Sequence, residues 1–177
     1  MAVGAQVAAQ LGVGSVVDGE ILKQGGRLDT TVGLTDTATG MVDLIDYVAV
    51  DDCGNQVNPM IVEGQIHGGI MQGVGQALYE DAVYDDLGQL HNANLGDYLV
   101  PSAVEAPRYR LDSNVTPSDT NPLGVKGIGE AGTIASTPAV INAVVDALRP
   151  LGVTDVTMPA SPRNVWRAIQ AAEGGAS

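Results

Sequence analysis

Glu130 draws attention by its setting. It lies in Gly127-Ile128-Gly129-Glu130-Ala131-Gly132, a turn with glycine at three of six positions. Such a turn lets backbone and carboxylate approach a ligand closely, which suits a general base better than it suits a surface charge. The plain alternative is a solvated loop glutamate. Lys126, four residues earlier, either tunes that carboxylate, contacts an anion or is an ordinary surface lysine. The run also spells G-x-G-x-x-G ahead of a helix, so backbone N–H groups at that helix start can meet an anion. A carboxylate inside a pyrophosphate cradle is a poor fit, and Asn121-Pro122-Leu123-Gly124 offers no buried strand in front. A nicotinamide- or flavin-dinucleotide-binding domain built on Gly127–Gly132 therefore needs a strand immediately before Gly127.

A second constellation is neutral. Gln65, Gly69, Gln72 and Gln76 recur at three- and four-residue steps, which places them along one line of a helix. Asn58-Pro59 supplies the start, with Asn as N-cap and Pro in the first turn, and the helix is expected from about Met60 to Tyr79. About 100° away, Val62, Ile66, Ile70, Val74 and Ala77 form an apolar face for core packing. Gly64, Gly68, Gly69, Gly73 and Gly75 each cost about 1 kcal/mol relative to alanine inside a helix. Either close packing against another element offsets that cost, or a polar, multi-acceptor ligand lies against exposed backbone and the glutamine amides. His67 stands off the amide line and has no second ligand at a useful spacing, so no protein metal site is expected.

These residues need a scaffold. The chain has 177 residues, one ordinary domain by length, and a single cysteine, Cys53, which excludes an intrachain disulfide framework. Eight Lys+Arg against 21 Asp+Glu leave −13, which argues against nonspecific binding to nucleic acid or an anionic membrane. Neither a basic n-region ahead of an apolar stretch nor an uninterrupted membrane-length span is read, giving the expectation of a soluble, cytoplasmic chain. Residues 1–27 support at most one short helix before a turn. Runs around Asp29–Thr35 and Met41–Val50 form a hairpin through Asp36-Thr37-Ala38-Thr39-Gly40. A second hairpin is expected near Tyr84–His91, turning at Asp85-Asp86-Leu87-Gly88, and an extended piece at Pro107–Asn114. A helix bearing Ala139, Ile141, Val144, Val145 and Leu148 follows the glycine turn and stops at Arg149-Pro150 with Gly152. Ser161-Pro162 opens the last helix, with Val165, Trp166 and Ile169 on one face. The reading is a single α+β domain of mixed hairpins and helices over 1–177.

Three segments together resemble a known family. They are Val48–Gly54, the stretch Asn58–Gly69 continuing through Gln72-Gly73-Val74-Gly75-Gln76-Ala77-Leu78-Tyr79-Glu80, and Asn121–Thr133. They closely resemble the molybdopterin-binding large chain of the xanthine dehydrogenase and aldehyde oxidase family, most like the aerobic carbon monoxide dehydrogenase branch. The ending Met158–Ile169 is similar to that branch as well. The resemblance is strong over 41–170 and loose over 1–40. It implies part of a molybdenum-cofactor-binding domain in which Glu130 is the catalytic base for hydroxylation with water-derived oxygen. It implies that Gln65, Gly68, Gly69 and Gln72 face the cofactor and that Lys126, Gly129, Ala131 and Gly132 lie by it. The cofactor would be molybdopterin cytosine dinucleotide, whose dithiolene holds the molybdenum, so no protein ligand cluster is called for. Iron–sulfur and FAD subunits and a small-molecule substrate, such as an aldehyde or heterocycle, are implied partners.

Large chains of that family are several times longer, and their N-terminal parts supply the rest of the pocket. The chain is accordingly read as a C-terminal portion of a large subunit, providing the base and part of the cofactor site and inactive alone. A non-catalytic remnant or assembly module is the remaining alternative.

Overall fold

The computed structural model describes residues 15–17, 21–24 and 27–174, with side chains of the first three strands described only in part. Strands β1 (Ser15–Val17), β2 (Ile21–Gln24), β3 (Arg27–Thr35), β4 (Val42–Asp51) and β5 (Arg108–Ser113) form one sheet in the order β1-β3-β4-β5, with β2 also pairing β3. The expected β3–β4 hairpin is present and antiparallel, with Leu28 opposite Val50 and a bulge at Val32/Gly33. Asp36 shapes its turn: the carboxylate accepts from the Ala38 N–H at 2.9 Å and the Thr39 hydroxyl at 2.7 Å. The short helix expected over 1–27 is corrected where residues are described, because 15–17 and 21–24 are strands. Both pair antiparallel with β3, whose extended run offers them a template. The part of that expectation on residues 1–14 lies outside the described residues.

Helix α1 (Pro59–Leu78) starts as the sequence predicts. Asn58 is extended (φ −139°, ψ 99°) and its side-chain oxygen accepts from the Ile61 N–H at 3.3 Å. Of its apolar face, Ile66, Ile70, Val74 and Ala77 are buried and Val62 is half-buried. They pack on Tyr47 and Ala49 of β4 in one core, completed by Val140, Val144, Leu148, Val165 and Ile169. Buried groups of this kind are each worth about 1.5–3 kcal/mol of apolar transfer, so this core carries most of the fold.

The glycine turn is followed by two helices rather than one: α2 (Ala131–Ile134), a single turn, and α3 (Ser136–Leu148). A 3-10 turn (Arg149–Leu151) ends on Gly152 at φ 82°, as the Gly C-cap suggested, and α4 (Pro162–Gly174) closes the chain. The stretch 131–151 reaches membrane-spanning length and apolarity by composition, contrary to the sequence expectation. It breaks at Ala135, and Ala139, Val140, Ala143, Val144 and Leu148 are buried inside the fold.

The extended piece at 107–114 is β5, and it pairs parallel with β4, Asp46 opposite Arg108 and Val50 opposite Asp112. Parallel pairing requires the chain to cross over, and α1 with the irregular segment after it makes that crossing. Within it, Tyr84 and Leu90 form an isolated antiparallel bridge, and Asp85 accepts from the Leu87 and Gln89 N–H groups, so the second hairpin survives in reduced form.

Candidate functional site

Helix α1 and the turn before α2 meet through missing side chains. A Cβ on Gly69 would come within 2.8 Å of the Gly132 Cα, and one on Gly132 within 2.6 Å of the Ile66 carbonyl oxygen. One turn on, a Cβ on Gly73 would lie 2.5 Å from the Ser136 Cβ, while the Ser136 hydroxyl donates to the Ile70 carbonyl at 2.8 Å. Close packing therefore accounts for Gly69 and Gly73. Gly64 and Gly68 are different: both are exposed and nothing lies within 4 Å of a Cβ built on either.

The amide row thus divides. Gln65, Gln72 and Gln76 are exposed, whereas Gly69 is buried at the crossing. Gln65 reaches the turn: its Nε2 donates to the Gly129 carbonyl at 2.8 Å. Gln76 accepts from the Thr137 hydroxyl at 3.0 Å. Glu130 stands at the N-cap of α2 with φ −112° and ψ −4°, and its carbonyl accepts from the Thr133 and Ile134 N–H groups. Its side chain is exposed and makes no capping hydrogen bond. Gly127 and Gly129 are also open, with nothing within 4 Å of an added Cβ. The structure therefore brings Gln65, Gly129, Glu130 and Gly132 to one corner, with Gly68 and Gln72 on the adjoining helix.

Lys126 is turned to another task. Its ammonium donates to Asp52 Oδ2 at 2.7 Å and to Thr116 Oγ1 at 2.5 Å, and its N–H donates to the Cys53 carbonyl at 2.8 Å. The neighbouring backbones touch as well: Gly54 has φ 65°, and a Cβ there would meet the Gly124 carbonyl oxygen at 2.2 Å. Asn55 closes the contact by donating to the Leu123 carbonyl at 2.8 Å. No strand precedes Gly127; Val125 makes only an isolated bridge to Gly54. That removes the dinucleotide-domain alternative on the condition set for it. The helix start after the turn is a single turn of helix, so the dipole expected there is small.

His67 stacks on Tyr109, ring centroids 4.5 Å apart, and the Tyr109 hydroxyl donates to the Met71 sulfur at 3.4 Å. Among the described residues no group of three His, Cys, Asp or Glu can hold a metal ion. A groove of about 420 Å³ runs between the first half of α1 and β5, lined by Val62, Glu63, His67, Tyr109 and Leu111 among others. Glu130 is not among its walls. Nothing in the sequence pointed to this groove, because the parallel placement of β5 creates it.

The corner suits a large polar cofactor that brings its own metal ligands. Two open helical glycines, two open turn glycines and neutral amides present backbone and hydrogen-bonding groups without a positive charge or a thiolate.

Comparison with known proteins gives the class. Residues 34–107 match the molybdopterin cofactor-binding domain, and the homologues of the chain include carbon monoxide dehydrogenase large chains and xanthine dehydrogenase molybdenum-binding subunits. It is 42% identical over 135 residues to the carbon monoxide dehydrogenase large chain of Hydrogenophaga pseudoflava, covering 76% of this chain and 17% of that one. Similarity to the nicotine 6-hydroxylase large subunit of Paenarthrobacter nicotinovorans is 44% over 135 residues, covering 76% and 16%. Among solved structures, a Cu,Mo-CO dehydrogenase superposes with TM-score 0.80 at 34% identity over 83% of this chain and 18% of that one. Quinoline 2-oxidoreductase from Pseudomonas putida 86 gives 0.79 at 44% over 81% and 18%. The chain spans about 17% of the length of the first of these curated relatives.

Proposed function

We propose that this chain is the C-terminal portion of a molybdenum hydroxylase large subunit and supplies its catalytic base, Glu130, with part of the cofactor site. The observation that carries the reading is the Gln65–Gly129 hydrogen bond, which joins the turn holding Glu130 to the helix whose open glycines and amides suit the cofactor. Gly68 and Gln72, with the free oxygen of Gln65, would receive the cofactor on the helix side. Gly129, Ala131 and Gly132 would border it on the turn side, and Lys126 would fix the turn through Asp52 rather than touch the cofactor. When bound, molybdopterin in its cytosine dinucleotide form supplies the two-electron redox centre.

The work of this chain is to hold a carboxylate at that centre. The Glu130 carboxylate would accept a proton from the water-derived oxygen as a substrate C–H bond gives way to a C–O bond, the two electrons of that C–H bond leaving to the redox centre, and would afterwards release the proton to solvent. A small aldehyde or heterocycle is the substrate class. The rest of the large subunit completes the pocket around Glu130 and removes it from water, and iron–sulfur and FAD subunits carry electrons away. Alone, the chain binds no substrate productively and does not turn over.

Replacing Glu130 by Gln in the assembled enzyme is expected to lower kcat by about 10²- to 10⁴-fold with molybdenum content unchanged. Turnover at the unsubstituted rate, measured per bound molybdenum, would overturn the assignment.

A further inference from the structure

We infer that Gln65 is a positioning residue for the Glu130 turn, holding it by the Gly129 carbonyl. The inference rests on reading Glu130 as the base. Between Lys126 and Ala131 the chain passes through two glycines whose surroundings are open, and Glu130 has no side-chain bond at its cap. Glycine-rich backbone has much conformational freedom to lose, so a turn of this kind wanders unless something outside it fixes it. Upstream it is fixed at Lys126, by the ion pair to Asp52 and the N–H to Cys53. Downstream it is fixed where Gly132 lies against Gly69. The Gln65 amide meets the turn between these two points, one residue before the carboxylate that must be aimed.

The chemistry of the bond is selective. A carbonyl accepts and cannot donate, so the Gln65 NH₂ group must face Gly129, which leaves only the amide oxygen for any other ligand. A glutamate of the same shape has no donor and would repel that carbonyl. Gln72, two turns along the same exposed helix face, has no such tie to the turn and serves as the control. Misplacing a catalytic group by about 1 Å costs roughly 10²-fold, which sets the scale of the effect.

The test has two arms. In the chain itself, Gln65→Glu and Gln65→Leu are expected to speed amide hydrogen exchange over 127–134 several-fold, with exchange in the core of α1 and α3 unchanged. Gln72→Leu should leave 127–134 as it was. In the assembled enzyme, the Gln65 variants are expected to lower kcat per bound molybdenum by about 10- to 100-fold at near-constant KM. Unaltered exchange over 127–134 would overturn the inference, as would full kcat per bound molybdenum in the Gln65 variants, whatever their metal content. Should Glu130→Gln prove fully active while exchange still quickens in the Gln65 variants, the base reading fails and the tether stands.

Discussion

Four donors converge on the carboxylate of Asp52: the Gly54 N–H, both the N–H and the hydroxyl of Thr116, and the Lys126 ammonium. The Lys126 bond, then Thr116, hold its pKa far below the ordinary carboxylate range. Asp46 is buried, which pushes its pKa up, yet the Arg108 and Arg110 guanidiniums outweigh burial and hold it low. Both groups bind fewer protons folded than unfolded, where about 3.9 applies, so both stabilise the fold above that value. As pH falls below about 4 the unfolded chain takes up protons first and this stability is lost. Urea midpoints are expected to hold between pH 7 and 5 and to fall below pH 4, with a shallower fall in Asp46→Asn. A midpoint independent of pH down to 3 would contradict the assignment. The partner of Lys126 was not legible in the sequence, since Asp52 stands far upstream and the two meet only where residues 53–55 pair with 123–126. The turn that carries Glu130 was legible because glycines on either side mark a turn wherever it is placed.

The glycines of α1 show what an element reveals and what it hides. Their cost in a helix is visible from composition, but packing and ligand-facing positions look alike until the partner backbone is in place. The structure separates them. Gly69→Ala drives a methyl into Gly132 and is expected to destabilise by about 1–3 kcal/mol. Gly64→Ala and Gly68→Ala meet nothing and are expected to stabilise the isolated chain by about 0.5–1 kcal/mol, read from denaturant midpoints. With Gly68 facing the cofactor as proposed, Gly68→Ala should nevertheless lower molybdenum loading in the assembled enzyme, because a methyl would then stand between the helix backbone and the cofactor. Equal loading in Gly64→Ala and Gly68→Ala at full occupancy would remove Gly68 from the site. The start of α1 was plain from Asn58-Pro59, and so was the β3–β4 hairpin from its Asp and Gly turn. The partition of the helix after the glycine turn into α2 and α3 was not, since the break at Ala135 adjoins the Ser136 bond to the Ile70 carbonyl, a long-range contact that no local signal marks.

Over the whole molecule, −13 is spread on a small body, and self-repulsion works against the compact state. Raising salt from about 10 to 300 mM is expected to raise Tm by a few degrees, checked by thermal melts at pH 7; a flat response would show the charges already neutralised locally. The segment between α1 and β5 exposes Leu87, Leu95, Leu99 and Val104. The two-layer α+β character could be read from periodicity, whereas the strand order could not, because β5 reaches β4 only by skipping over everything between.

That skip sets the timetable of assembly. As the polypeptide leaves the ribosome, the β3–β4 ribbon and α1 emerge well before Arg108–Ser113, and the slot beside β4 stays vacant meanwhile. During that interval Tyr47 and Ala49 have the helix but not their lateral neighbour, and the open rim of β4 is free to pair with a wrong chain. A nascent chain of this design gains by having a chaperone at hand before the fifth strand arrives.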